Sequence, residues 1–93
     1  MNEIMYQFYL RVDQAQLLFR AENKQGWETD RGKSLILYGE PDKIERQKHT
    51  VHSVPHEIWF YKRLNQKLTF VDTNRDNKFK LVSIEDIEVV KNE

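Results

Sequence analysis

Apolar residues near the start of the chain recur every three or four positions, which is the spacing of one helix face. Over residues 2–23 they form a single stripe of Met5, Phe8, Val12, Ala15 and Phe19. This pattern predicts an amphipathic helix of roughly five or six turns. The stripe is short for a coiled coil and rich in aromatic residues, which favours packing in the core over binding a partner helix. We expect Gly26 to end the helix in a left-handed cap.

The segment 31–38 is predicted to form a second, shorter helix. Thr29 or Asp30 supplies an N-cap, and Gly39, with a proline two residues later, supplies the stop signal. The alternative is a buried strand, because the segment ends in four apolar residues and Gly32 costs about 1 kcal/mol inside a helix. We favour the helix because Gly followed by Pro ends helices more naturally than strands.

From residue 43 onward the period of the apolar pattern changes to two, which predicts strands. Lys43–Gln47 is predicted to be a short edge strand, and further strands are predicted at 57–63, 67–72 and 78–83. Short connections between them favour an antiparallel meander. The tail from Ile84 fits either a last strand or a docked helical turn. The predicted fold is therefore α+β, with two N-terminal helices packed on a three- to four-stranded antiparallel meander sheet.

Alternation along the predicted strands assigns their side chains to two faces of the sheet. The helices are expected to cover Ile58, Phe60, Leu68, Phe70, Phe79 and Leu81. The opposite face then carries Trp59, Tyr61, Val71 and Val82. A monomeric domain seldom exposes so large an apolar face, so either Val89 and Val90 fold back over it or it binds a partner.

Residues that constrain the backbone are concentrated between positions 26 and 42, where all three glycines lie. The motif there is Gly26-Trp27-x-Thr29-Asp30-Arg31-Gly32, and an apolar segment then ends in Tyr38-Gly39-x-Pro41-Asp42. Two later motifs are Pro55-x-Glu57-Ile58-Trp59-x-Tyr61 and Leu68-x-Phe70-Val71-Asp72. On these residues the chain resembles the GWxTD domain, a bacterial domain of Bacteroidetes-type proteins, over nearly its whole length.

The resemblance implies a domain without an assigned activity that forms the C-terminal part of a larger exported protein. An export signal would then lie upstream of Met1. The order of the predicted elements is also similar to the small lipoprotein subunit of the outer-membrane barrel-assembly machinery. Both resemblances imply an extracytoplasmic or cell-envelope setting.

Length and charge exclude several classes of protein. The 93 residues suffice for one domain, spanning 1–93. The 15 basic and 15 acidic residues balance, so the chain lacks the basic excess that nucleic-acid binding requires. The absence of cysteine excludes disulfides and thiolate metal sites. No apolar run reaches the ~18–20 residues of a membrane span, so direct membrane insertion is not expected.

Two groups of residues carry a partial metal signal. The segment 72–76 has oxygen ligands at the first, third and fifth positions of a calcium loop, but Asn77 replaces the required glycine and no glutamate closes the loop. Asp and Asn are also typical of hairpin turns. His49, His52 and His56 fall in or beside a predicted loop, without the rigid support of a zinc site. We therefore predict no metal site and no cofactor.

No catalytic residue is predicted, because nothing brings a nucleophile and a base, or two carboxylates, into one cleft. We predict a noncatalytic interaction or scaffolding module of a larger exported protein. Its partner is a neighbouring domain, another protein or a second copy. The candidate interaction residues are Trp27, Asp30, Arg31, Asp42, Trp59 and Tyr61. The alternative is a small-ligand or ion-binding domain built around Asp30, Arg31 and Asp42 or the turn at 72–76.

Overall fold

Two helices precede four strands in the computed structural model, which describes residues 3–21, 23–48 and 51–88. The elements are α1 (Glu3–Phe19), α2 (Asp30–Tyr38), β1 (Lys43–Gln47), β2 (His56–Tyr61), β3 (Gln66–Val71) and β4 (Lys80–Asp86). The strands form one antiparallel sheet in the order β1-β2-β3-β4. The predicted α+β fold, with N-terminal helices and an antiparallel meander sheet, is confirmed.

The segment that contains α2 is a helix because both of its ends are capped. The Thr29 hydroxyl oxygen accepts the N–H of Gly32 at 3.0 Å, which satisfies a donor at the N-terminus. At the other end, Gly39 has φ = 80° and its N–H donates to the carbonyl of Leu35 at 2.8 Å. A residue with a side chain is strained at this φ, so glycine lets the chain leave the helix and turn towards β1. The predicted helix and its caps are confirmed.

The end of α1 differs from the prediction. The helix stops at Phe19, and the left-handed residue beyond it is Asn23, with φ = 62°. Asparagine tolerates this conformation better than most residues with side chains. Gly26 is not a left-handed cap, so that prediction was wrong. It instead begins a short 3₁₀ turn (Gly26–Glu28) and is buried.

The core lies between the helices and one face of the sheet. Its buried apolar members are Ala15, Leu35, Trp59, Tyr61, Leu68 and Phe70. The ring of Trp59 lies 4.8 Å from that of Phe70 and 5.7 Å from that of Phe19, centroid to centroid. Rings at these separations pack favourably. Trp59 is therefore the centre of the core and connects α1 to the middle strands.

The prediction that Trp59 and Tyr61 face away from the helices was wrong. Their exposed fractions are 1% and 4%, and Trp59 pairs across the strands with the buried Leu68. Ile58 and Phe60, which were expected beneath the helices, lie on the opposite face. Four consecutive apolar residues in β2 fit either phase of the strand. The apolar pattern of β2 alone therefore leaves its phase open, and a shift of one residue would reverse the faces.

The two outer strands of the sheet are charged or irregular. β1 (Lys43–Gln47) exposes four of its five side chains, most of them charged. In β4, the register with β3 shifts at Val82, which opposes no single β3 residue and is 59% exposed. Ile84 belongs to β4, so the tail begins as a strand. Val89 and Val90, which were predicted to fold back over the sheet, lie outside the described residues.

Tyr61 gives a pH-dependent test of this packing. Its hydroxyl donates to the carbonyl of Gly39 at 2.8 Å, and burial raises the pKa of its phenol. We expect Tyr61→Phe to lower the free energy of unfolding by about 1 kcal/mol at pH 8. An unfolded tyrosine ionises near pH 10. Above that pH ionisation of the tyrosine stabilises only the unfolded chain. The difference in unfolding free energy between the wild type and Tyr61→Phe should therefore shrink by about 1.4 kcal/mol per pH unit.

Urea unfolding of both proteins between pH 8 and pH 11 measures this difference. The two stability curves should converge above pH 10 and then cross. A difference that stays constant over the whole range would contradict a buried, neutral Tyr61.

Candidate functional site

The motif at residues 26–32 lies where α1, α2 and the sheet meet. The Thr29 hydroxyl donates to the carbonyl of Gly26 at 2.7 Å while it caps α2. A Cβ atom on Gly26 would collide with the backbone of Ala15 in α1, and one on Gly32 would collide with the carbonyl of Gly26. Glycine is therefore needed at both positions for the backbones to touch. The motif joins the two helices by direct backbone packing.

Asp30 connects α2 to the edge of the sheet. It is the first residue of α2, and its Oδ2 accepts the N–H of Leu81 in β4 at 2.8 Å. A carboxylate at a helix N-terminus is also favoured by the helix dipole. The carboxylate predicted as an interaction group therefore has a structural bond within the chain.

Arg31 is buried, although it carries a full charge. Its Nη1 lies 3.1 Å from Glu57 Oε2, and both side chains are 8% exposed. Its guanidinium carbon lies 4.7 Å and 4.1 Å from the ring centroids of Phe19 and Phe79, within cation–π distance. Its Nη2 also donates to the carbonyl of Asn77 at 3.4 Å. Burial lowers the pKa of Arg31, and the Glu57 carboxylate opposes that shift.

Glu57 is the acceptor at the centre of this network. Its Oε2 also lies 3.3 Å from Nε of Arg46, and its Oε1 accepts the indole N–H of Trp59 at 3.0 Å. Both carboxylate oxygens are thus occupied by protein donors. The sequence marked Glu57 only as one of several carboxylates. The alternation of β2 indicated only that Glu57 shares a face with Trp59, and the sequence did not show that this face is the buried one.

Asp42 lies at the opposite end of α2 from Asp30 and Arg31. A helix of nine residues is about 13 Å long, so the three residues do not form one cluster. Asp42 is exposed, and its Oδ2 accepts the N–H of Lys62 at 2.7 Å. This bond holds the chain before β1 against the connection from β2 to β3.

The turn after β3 uses its acidic residues to bind its own backbone. Oδ1 and Oδ2 of the buried Asp72 accept the N–H groups of Asp76 and Asn77 at 3.1 Å and 3.0 Å. Such bonds are typical of Asp-initiated turns. Among the residues that the structure describes, no three His, Asp or Glu side chains are grouped so that they could hold a metal ion. Of the three candidate histidines, His49 lies outside the described residues.

Trp27 is the residue of the motif that the fold leaves most open to solvent. Its side chain is 47% exposed, whereas Gly26, Thr29, Arg31 and Gly32 are all buried. The sequence left open whether Trp27 belongs to the core or to an interface. In the structure Trp27 lies on the short 3₁₀ turn and outside the buried core.

The first two turns of α1 carry a dense group of exposed apolar side chains. Residues 4–10, which we call the apolar segment, expose six large apolar side chains: Ile4, Met5, Tyr6, Phe8, Tyr9 and Leu10. Their exposed fractions run from 37% to 83%. Ala15 is the one buried residue of α1. The prediction that the whole stripe packs in the core was therefore wrong for Met5 and Phe8.

A signal for this exposure was present in the sequence. An amphipathic helix has one polar face, but the apolar segment contains a single polar residue, Gln7. Apolar residues therefore surround the helix axis on every side, whereas two-layer packing buries only one side. One side of the segment forms the wall of an open cavity of about 480 Å³. No helix among the described residues is long and apolar enough to cross a membrane.

Substitutions at Glu57, Arg31 and Arg46 should lower the free energy of unfolding by amounts that follow a specific order. Glu57→Gln leaves the buried Arg31 without its carboxylate and should cost about 3 kcal/mol of unfolding free energy. Arg31→Met should cost less, because Arg46 still neutralises Glu57 and the methionine side chain fills the space between two rings. Arg46→Ala removes a side chain that is 67% exposed and should cost under about 1 kcal/mol.

Denaturant unfolding of the three variants at one pH and salt concentration gives this order directly. Equal costs for Glu57→Gln and Arg46→Ala would contradict the central place of the buried pair.

Comparison with known protein families gives the same family as the motif at residues 26–32. The chain matches the GWxTD domain over residues 1–89. Curated proteins and solved structures provide no match. Because the match covers almost the whole chain, the protein belongs to the GWxTD domain family.

Proposed function

We propose that this protein is a noncatalytic interaction module, and that it binds its partner through the apolar segment of α1. The observation that carries the proposal is the exposure of six large apolar side chains on two turns of helix. An aromatic side chain alone presents about 150–250 Å² of surface. The exposed total reaches the upper end of the roughly 300–600 Å² of the largest apolar patch on a typical monomer, and such patches are often functional.

Exposed leucines on the two helices extend this surface beyond the apolar segment. Leu17 and Leu18 in α1 are 84% and 61% exposed, and Leu37 in α2 is 70% exposed. Binding through the helical layer replaces the earlier hypothesis of binding through Trp59 and Tyr61, because those two side chains are buried. Trp27 remains a candidate contact at the other end of the helical layer.

The buried charged residues of the chain bind one another or the backbone. Arg31, Glu57 and Asp72 are each bonded to groups of the same chain. Within the described residues, no buried side-chain polar atom lacks a hydrogen-bond partner. A ligand-binding pocket usually offers a few convergent polar groups to its ligand. The buried polar groups thus serve the fold, and the proposal rests on the exposed apolar side chains of α1.

The setting of the proposal is a larger exported or envelope protein. It is supported by membership of the GWxTD domain family, whose resemblance implies a C-terminal module of exported proteins. In that setting the partner is a neighbouring domain, another envelope protein or a second copy.

A pair of phenylalanines in α1 separates interface residues from core residues. Phe8 lies in the apolar segment and is 49% exposed, whereas Phe19 packs on Trp59. We expect Phe8→Ser to change the free energy of unfolding by less than about 1 kcal/mol. Phe19→Ser should cost about 3 kcal/mol or more, because it opens a cavity in the core. Urea unfolding measures both, and a large loss from Phe8→Ser would assign the segment to the core.

Photocrosslinking tests partner binding directly. The photoreactive amino acid p-benzoylphenylalanine is placed at Tyr6 or, as a control, at the exposed Lys33 of α2, in the full-length protein inside its own cells. We expect a discrete crosslinked product from position 6 and none from position 33. Equal products, or none from position 6, would overturn the proposed surface.

A further inference from the structure

The cavity beside the apolar segment is lined by five residues of α1, which include an acid, an amide and a base at equal spacing. They are Glu3, Ile4, Gln7, Phe8 and Arg11. Gln7 stands at the centre, with the acidic residue four positions before it and the basic residue four positions after it. Each charge therefore lies about 6 Å from Gln7 along the helix axis. The Arg11 guanidinium donates to the carbonyl of Ile36 at 3.2 Å, which holds it at the end of the cavity.

Residues 3 to 11 follow a regular order: an acidic residue, three apolar residues, an amide, three apolar residues and a basic residue. The sequence is Glu-Ile-Met-Tyr-Gln-Phe-Tyr-Leu-Arg. Reversal about Gln7 therefore places apolar residues opposite apolar residues and exchanges Glu3 with Arg11. An antiparallel copy packed on the Gln7 side brings Glu3 level with Arg11 and Ile4 level with Leu10, while Met5 and Tyr9 point away from it. A parallel copy would place like charges together, which is unfavourable.

From this complementarity we infer that a second copy of this chain occupies the cavity, with its α1 antiparallel and the two-fold axis beside Gln7. The inference rests on the proposed interaction role of the apolar segment and identifies its partner. Glu3 of each copy pairs with Arg11 of the other, and the two Gln7 side chains meet at the axis. A two-fold interface uses the same patch on both copies, which a self-complementary segment satisfies.

The available area indicates a weak dimer. Four of the six exposed apolar side chains, Ile4, Tyr6, Phe8 and Leu10, lie on the side of α1 that can face a second helix, and they provide about 400 Å² per copy. A dimer that covers this area buries about 800 Å² in total, which is the size of a weak or transient contact. We therefore expect association only at high protein concentration.

Disulfide trapping tests the geometry, because the chain has no native cysteine. In the inferred dimer the two copies of position 7 face each other at the axis. The two copies of position 13 lie about 18 Å apart along the helices, and a disulfide needs Cα atoms within about 7 Å. We expect Gln7→Cys to form a covalent dimer under mild oxidation, while Asp13→Cys stays monomeric. Crosslinking of both variants, or of neither, would overturn the inferred pairing.

Sedimentation equilibrium from about 5 μM to 1 mM tests the charge pairing without a crosslink. Glu3→Arg places two arginines at each end of the dimer and should weaken association about tenfold. Asp13→Arg makes the same charge change on the same helix outside the paired segment and should alter association less than twofold. Equal effects of the two substitutions would overturn the antiparallel register.

The two proposals fail in different ways. A protein that stays monomeric at 1 mM, yet gives a photocrosslink from Tyr6 to a different protein, overturns the second copy and supports the interaction role. A monomeric protein without any crosslink from Tyr6 overturns both.

Discussion

The buried ion pair between Arg31 and Glu57 is the interaction on which the rest of the structure depends. Arg31 belongs to α2, and its guanidinium lies between the rings of Phe19 in α1 and Phe79 before β4. A charge buried in this way is tolerated only with a carboxylate beside it, so Glu57 must point towards the helices. Alternation along β2 then brings Trp59 to the same face. One electrostatic requirement thereby determines which side of the sheet becomes the core.

Much of the architecture could be predicted from spacing and turn chemistry. The helical period, the caps at Thr29 and Gly39, and the alternation after residue 43 identified the helices and the strands. The phase of β2 could not be predicted, because apolar residues occupy both of its faces. Its phase follows from a contact between residues 26 positions apart, between Arg31 and Glu57. Such long-range contacts leave no trace in a local pattern.

The candidate site was predicted less well than the fold, and for a related reason. Asp30 and Arg31 were correctly placed at the start of a helix, but their charges are used inside the domain. The apolar segment was assigned to the core because its stripe continues that of Ala15 and Phe19. The apolar stripe of α1 indicates which side of the helix is apolar. How much of that side is buried depends on how far the sheet extends beneath the helix. The motif that defines the family therefore describes how the helices are joined, and the open surface lies outside it.

The irregular outer strands of the sheet have a consequence for how copies of this chain meet. A free strand edge is a template for adding strands from other molecules, which leads to fibrils. The charged side chains of β1 and the bulge at Val82 in β4 both oppose such growth. A chain with exposed apolar residues on its helices is thus protected from polymerising through its sheet. In the dimer that we infer, the contact between molecules lies in the helical layer, and the two-fold pair ends the assembly at two.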